Sequence, residues 1–269
     1  MQVQDISEIK NAFDKIENNG EEWITNFLTG DAELERQIKK NQITIEVTPT
    51  NVFIFRKRDK CQRLYFVSSK SETLAEDLRQ VLSTTNETVI TSILDNGDDS
   101  SRPLKEIITQ AGFSHYKTLN RILKIQTPKP TRVKNPDFAR LEDLPLIAET
   151  LEKEFDAFLD NHPDLDEIKA AIENQQIMVV RDKKTGKVAA FETFEKKGKT
   201  VWGRYLASVE EFRKDLPYGG MMLRAFTAFH SDASRLIGWV AQGRENIMQL
   251  NYSCGYKDDV VTDEIFKFN

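Results

Sequence analysis

The chain has 269 residues, of which 39% are hydrophobic and 30% charged, and its net charge is −5. That length suits two domains of ordinary size, each with enough apolar residues for a core. Acids and bases alternate along the chain, which excludes the clustered basic excess of a nucleic-acid-binding face.

In chain order, Asp5 to Glu17 carries Ile6, Ile9, Phe13 and Ile16 at helical spacing, with Asp5 or Ser7 as its cap. A second short helix is expected around Trp23 to Leu28. Strand-like runs follow at Ile43–Val47, Asn51–Arg56 and Arg63–Val67. Ser71–Leu82 reads as a helix, Glu87–Leu94 as a strand and Pro103–Ala111 as a helix. Gly112-Phe113 turns the chain into a strand running to about Ile125. Pro128, Pro130 and Pro136 then forbid helix and favour an extended connector. The expected domains are therefore residues 1–127 and 137–269, joined by a linker over 128–136.

Past the linker, Phe138 to Leu141 is a short strand, and helices are expected from Glu142 to Phe155 and from Asp164 to Glu173. Strands Gln176–Arg181, Val188–Phe194 and Thr200–Ala207 follow, turned at Lys183–Gly186 and at Lys197-Gly198. A helix over Pro217–Phe229, a strand over Leu236–Val240, a helix over Glu245–Ser253 and a strand over Val260–Phe268 complete the chain. The two halves share this rhythm, and Ala111-Gly112-Phe113 answers Cys254-Gly255-Tyr256, so a duplicated fold is expected.

Two cysteines, Cys61 and Cys254, fit free thiols in a reducing compartment. With His115, His162 and His230 they show no metal-ligand spacing, so no metal is expected. The N-terminus lacks a signal-peptide pattern and no apolar run reaches bilayer length, giving the expectation of a cytoplasmic protein without membrane or nucleic-acid partners.

Chemistry concentrates after Thr200. Gly219-Gly220 precede the helix Met221 to Phe229, and a glycine-rich helix N-terminus offers free amides and a positive dipole end to an anion. Glu192 and Glu195 lie on a strand, with Glu192 among Ala190 and Phe194 on one face. Trp202, Arg204 and Leu206 alternate on the next strand. Arg204 needs a counter-charge, either an acidic substrate group or Glu192 across the hairpin. His230 is expected at an exposed helix end.

The element order of residues 138–269 resembles the GNAT superfamily of acyl-coenzyme A N-acyltransferases, as do Ala139-Arg-Leu-Glu-Asp-Leu144, Tyr205-Leu-Ala-Ser208, Arg213-Lys-Asp-Leu-Pro-Tyr-Gly-Gly-Met-Met-Leu223 and Cys254-Gly255-Tyr256. The resemblance covers about half of the chain. It implies an α/β (α+β) fold of two tandem GNAT-like domains, each a mixed, mainly antiparallel sheet flanked by helices. The first would be degenerate, since no glycine stands between Val67 and the helix Ser71–Val81, and Glu72, Glu76 and Asp77 would repel a pyrophosphate.

The resemblance further implies acetyl-coenzyme A, or another acyl-coenzyme A, as cosubstrate. Leu206, Ala207 and Ser208 would line the pantetheine arm. Arg213, Tyr218, Gly219, Gly220, Met221 and Met222 would form the pyrophosphate loop. This loop departs from the family pattern, with five residues between Arg213 and the first glycine. Asn251 occupies the place of the family's thiolate-protonating Tyr and joins the cofactor site. Tyr252, one residue on, is then the candidate acid and Glu192 the candidate base. The acceptor is an amine: a small molecule, a peptide N-terminus or a lysine. A non-catalytic acyl-coenzyme A-binding or regulatory protein is the competing reading, and an interaction scaffold without ligand is a third.

Overall fold

The computed structural model describes residues 1–18, 22–131, 133, 136–159, 162–214 and 216–269. Helix α1 (Ile6–Glu17) opens on Asp5, whose carboxylate accepts from the Ser7 amide while Glu8 accepts from the Asp5 amide. Strand β1 (Ile24–Thr25) stands where the helix around Trp23–Leu28 was expected. Two β-branched residues in succession favour extension, and pairing with a neighbouring strand settles it. Helix α2 (Asp31–Lys39) is an element that the sequence reading missed, because only Leu34 and Ile38 give it an apolar side. Then come β2 (Ile43–Val47), β3 (Asn51–Lys57), β4 (Gln62–Ser68), α3 (Ser71–Leu82), β5 (Val89–Asp95), α4 (Arg102–Gln110) and β6 (Ser114–Ile125). Phe138 contributes a single bridge to Met178 rather than a strand. The rest is α5 (Leu144–Glu154), α6 (Leu165–Glu173), β7 (Ile177–Arg181), β8 (Val188–Lys197), β9 (Thr200–Ser208), α7 (Tyr218–Phe229), β10 (Arg235–Ala241), α8 (Glu245–Ser253) and β11 (Lys257–Phe268).

The chain folds as two compact units. Unit 1 is Met1–Thr118 with Val261–Asn269, and unit 2 is Leu119–Val260. In unit 1 the strand order is β2-β3-β4-β5, followed by residues 262–268 of β11. Both faces of its sheet are covered. Val52 and Ile54 pack with α1 and α2 residues, while Phe53, Phe55, Leu64 and Phe66 pack with Leu74 and Leu78 of α3. Such two-sided burial explains why β3 is apolar almost throughout rather than alternating. In unit 2 the order is β7-β8-β9-β10, followed by residues 119–125 of β6. Helix α7 packs Met222, Leu223 and Phe226 on one face, and α5 and α6 pack Ile147, Leu151, Ile168 and Ile172 with Phe191 and Ala207 on the other.

The division does not fall at the proline-rich segment. Residues 119–125 pair with β10, and the chain beyond them stays with unit 2 through Gln126 N–H to Ser234 O (3.0 Å) and Lys129 N–H to Ser231 O (2.8 Å). Proline spacing reveals an extended connector, but a connector can join two strands of one unit. Likewise residues 261–269 leave the second half of the sequence and complete unit 1. Ile265 and Phe266 are buried there, and the Phe268 ring lies 5.6 Å from that of Phe113. Losing one buried Phe costs about 3–5 kcal/mol, against a typical domain stability of about 5–15 kcal/mol. A chain ended at Val260 should therefore lose residues 1–118 to limited proteolysis while residues 119–260 resist. Equal survival of both parts would show that the last strand is dispensable.

Among the described residues no helix is long and apolar enough to cross a membrane.

Candidate active site

Strands β9 and β10 run parallel from the pair Thr200↔Arg235 to Trp202↔Ile237, and there the pairing ends. The other edge of β9 is fully engaged by β8. From Gly203 onward, β9 therefore has an edge with no strand partner among the described residues, facing a gap. Glycines stand on both sides of the parting, Gly203 and Gly238. The β8–β9 register also slips there, from Thr193↔Tyr205 to Phe194↔Gly203, so Arg204 is an extra, bulged residue.

Glu192 of β8, opposite Leu206, fills the space that Gly203 leaves empty. A Cβ on Gly203 would come within 2.5 Å of Glu192 Oε1 and 3.7 Å of Ile237 O. The carboxyl thus sits where the strands part. Glu192 is 4% exposed, and its Oε2 has no hydrogen-bond partner among the described residues. Burial alone pushes its pKa up to about 8: no cation compensates the loss of water. The buried Tyr256 is close enough for the Glu192 charge to add to the upward push that burial gives its phenol.

Helix α7 begins beside the end of β9. The bare Cα of Gly219 faces Ser208, whose Oγ would lie 2.7 Å from an added Cβ, and that of Gly220 faces Leu250 Cδ1 at 3.3 Å. Both glycines thus sit close against side chains of neighbouring elements, the approach being tighter at Gly219. Their amides lie in the first turn, where a helix supplies no acceptors of its own. Tyr218 is buried, and its phenol donates to Asp182 Oδ2 (2.8 Å), helping to hold that carboxyl at about 2. Met222 is buried in the core, whereas Met221 is exposed. Arg213 pairs with Glu154 and donates from Nε and Nη2 to the Ser208 carbonyl (3.2 and 3.1 Å). Leu206 packs partly buried under α7, while the Ala207 side chain points to the opposite core.

Asn251 is buried and donates from Nδ2 to Ile247 O (2.9 Å). The Tyr252 phenol donates to Asp258 Oδ1 (2.5 Å), which raises its pKa. Two expectations change. Arg204 pairs with Glu195 (3.2 Å) and not with Glu192, because the bulge takes it out of the strand alternation. His230 is buried among Phe194, Phe226 and Phe229, with ring centroids at 4.6–4.7 Å, and burial pushes its pKa down to about 4. Gly203 is absent from the sequence-based candidates, and its only signal is that of a glycine inside a strand pattern, the usual sign of a bulge or a close approach. A cavity of about 370 Å³ lies beside α5, but its carboxylates are largely paired: Glu149 with Lys153 (2.7 Å), Glu154 with Arg213 and Glu211 with Lys187 (3.4 Å). Among the described residues no group of His, Cys, Asp and Glu side chains is placed to hold a metal ion.

No family model and no curated protein matches the chain. Among solved structures it is similar to a GCN5-related N-acetyltransferase from Sphaerobacter thermophilus (TM-score 0.57, 11% identity, 90% of this chain and 86% of the other). It is similar over its whole length to an acetyltransferase of the GNAT family from Colwellia psychrerythraea (TM-score 0.57, 10% identity, 100% and 99%). A tandem GNAT protein from the clavulanic acid biosynthesis pathway also matches (TM-score 0.54, 9% identity, 81% and 78%). At these identities the likeness establishes the fold: this is a GNAT fold, with the tandem arrangement represented among its neighbours.

Proposed function

We propose that unit 2 binds an acyl-coenzyme A in the gap between β9 and β10 and transfers its acyl group to an amine. The observation that carries this reading is the buried, unpartnered Glu192 carboxyl set where two parallel strands separate. An acyl-coenzyme A fits the surrounding groups. The open edge of β9 from Gly203 to Ser208 offers main-chain groups to the amides of a pantetheine arm. The first turn of α7 offers the Gly219 and Gly220 amides and a dipole end to the pyrophosphate, the Tyr218 and Met221 amides being bonded to Leu216 O (2.7 Å) and Pro217 O (3.0 Å). Arg213 lends its charge only in part, being shared with Glu154.

In the transfer, the amine nitrogen attacks the thioester carbonyl, a C–N bond forms and the C–S bond breaks. Ionised Glu192 takes the proton that the nitrogen sheds, and the departing thiolate takes one from solvent or a phenol. Tyr252 can serve in that second role only after leaving Asp258. That engagement is the observation favouring the alternative, a protein that binds acyl-coenzyme A without turning it over.

Acetyl-coenzyme A should raise the melting temperature of the protein, and a panel of amines should release free thiol in its presence. Stabilisation without thiol release would select the binder, and neither effect would sink both readings. Met221→Glu sharpens the test. An acid in the first turn of a helix stabilises it by about 0.3–1 kcal/mol, yet repels a pyrophosphate there and should weaken binding by about tenfold. Unchanged affinity in this variant would remove the start of α7 from the site.

A further inference from the structure

Unit 1 repeats the strand and helix order of unit 2, with β4, α3 and β5 in the places of β9, α7 and β10. The parting of parallel strands recurs as well, since β4 and β5 pair only at Gln62↔Val89 and Arg63↔Ile90. Here, however, the gap is filled by the chain itself. Strand β1 lies antiparallel along the far half of β4, with Ile24 opposite Ser68 and Thr25 opposite Val67. Thr25 Oγ1 donates to Phe66 O at 2.8 Å.

Asn26 then reaches into the parting. Its Oδ1 accepts the Phe66 amide (2.8 Å), while its Nδ2 donates to Thr91 Oγ1 (2.9 Å) and to Ser92 O (3.1 Å) on β5. At the other end of the segment, the Glu22 amide donates to Ser69 O (3.3 Å), and Glu22 Oε2 accepts the Ser71 amide (2.6 Å) at the first residue of α3. One short peptide therefore presents an anion to a helix N-terminus, an extended backbone to a strand edge and a carboxamide to the point where two strands part. Those are the three chemistries of the pyrophosphate, the pantetheine arm and the arm's last amide before the sulfur, in the same order. The Ser71 hydrogen bond lowers the Glu22 pKa, as expected of an ionised carboxylate held on a helix end.

We propose that residues 22–27 are a built-in occupant of the acyl-coenzyme A groove of unit 1, so that unit 1 takes no cosubstrate and each chain binds a single acyl-coenzyme A, in unit 2. The count rests on the reading of unit 2 given above, whereas the occupancy of unit 1 is tested separately. The Phe66 amide has its one proton on Asn26, so its hydrogen exchange reports whether the segment stays in place. In the full chain this amide should exchange as slowly as the β3–β4 ladder, with and without millimolar coenzyme A. Asn26→Ala should speed it by about tenfold or more. Calorimetric titration with acetyl-coenzyme A should give one site, weakened by Met221→Glu. Fast exchange of Phe66 in the unmutated chain, exchange there altered by coenzyme A, or two sites per chain would each overturn the occupant. No binding at all, with Phe66 still slow, would sink the reading of unit 2 and leave the filled groove standing.

Discussion

Glu192→Gln should lose about 10²–10⁴-fold in turnover, the usual loss when a proton-transfer group is removed, while its stability relative to the wild type increases as the pH rises. The two effects have one origin. Burial without a cation holds the carboxyl protonated to about pH 8. A base poised there is well matched to an ammonium proton near neutral pH, so turnover should climb with pH to a plateau above about 8. The sign of the stability effect follows from proton counting. Below the ordinary carboxylate range, folded and unfolded chains both hold the proton. Between that range and pH 8 only the folded chain does, so ionisation favours the unfolded state and wild-type stability falls as pH rises. Above pH 8 both states are ionised and the difference is constant. Gln does not titrate, so its advantage over Glu should grow by about 1.4 kcal/mol per pH unit across that window. Denaturant unfolding at pH 5 and pH 8, beside the pH profile of turnover, checks both arms. Turnover that falls above pH 8 would make Glu192 a proton donor, and a constant stability difference would show that the carboxyl is hydrated.

The sequence carries the parts of this site more clearly than their meeting. The runs that became β8, β9 and β10 are continuous or alternating apolar segments bounded by turns, and such segments announce themselves. A pattern of faces does not say which strand lies next door. Nothing in residues 119–125 marks them as the neighbour of β10, and nothing in residues 261–268 marks them as the neighbour of β5. Those are long-range pairings, and the prolines between them point to a boundary the fold does not use. Arg204 shows a smaller failure of the same kind. Strict alternation predicts its face, and one bulged residue moves it from Glu192 to Glu195. The glycines of α7 are legible as a helix start beside a strand end, but their close approach to Ser208 and Leu250 is not. His230 was misplaced because its cage is assembled from β8 as well as from its own helix.

Gly203→Ala should be among the most damaging single-methyl additions in unit 2, and its harm should vanish when Glu192 is absent. The backbone at Gly203 lies outside the left-handed region, so alanine meets no torsional objection. What it meets is the Glu192 carboxyl, 2.5 Å from the new Cβ. That distance requires the carboxyl to move, yet it is itself only 4% exposed and the buried Tyr256 lies close by. Overpacking of this kind costs about 1–3 kcal/mol. A displacement of the proton acceptor by about 1 Å can cost about 10²-fold in turnover. Glu192→Ala empties the space. In that background the added methyl should be neutral, or stabilise by about 0.4–1 kcal/mol through the smaller entropy of the unfolded chain. The double-mutant cycle should therefore show a coupling of about 1–3 kcal/mol, well beyond the scatter between independent sites. Equal costs of Gly203→Ala in both backgrounds would mean that the carboxyl does not rest on Gly203. The acceptor of the proton would then have to be sought elsewhere along the open edge of β9.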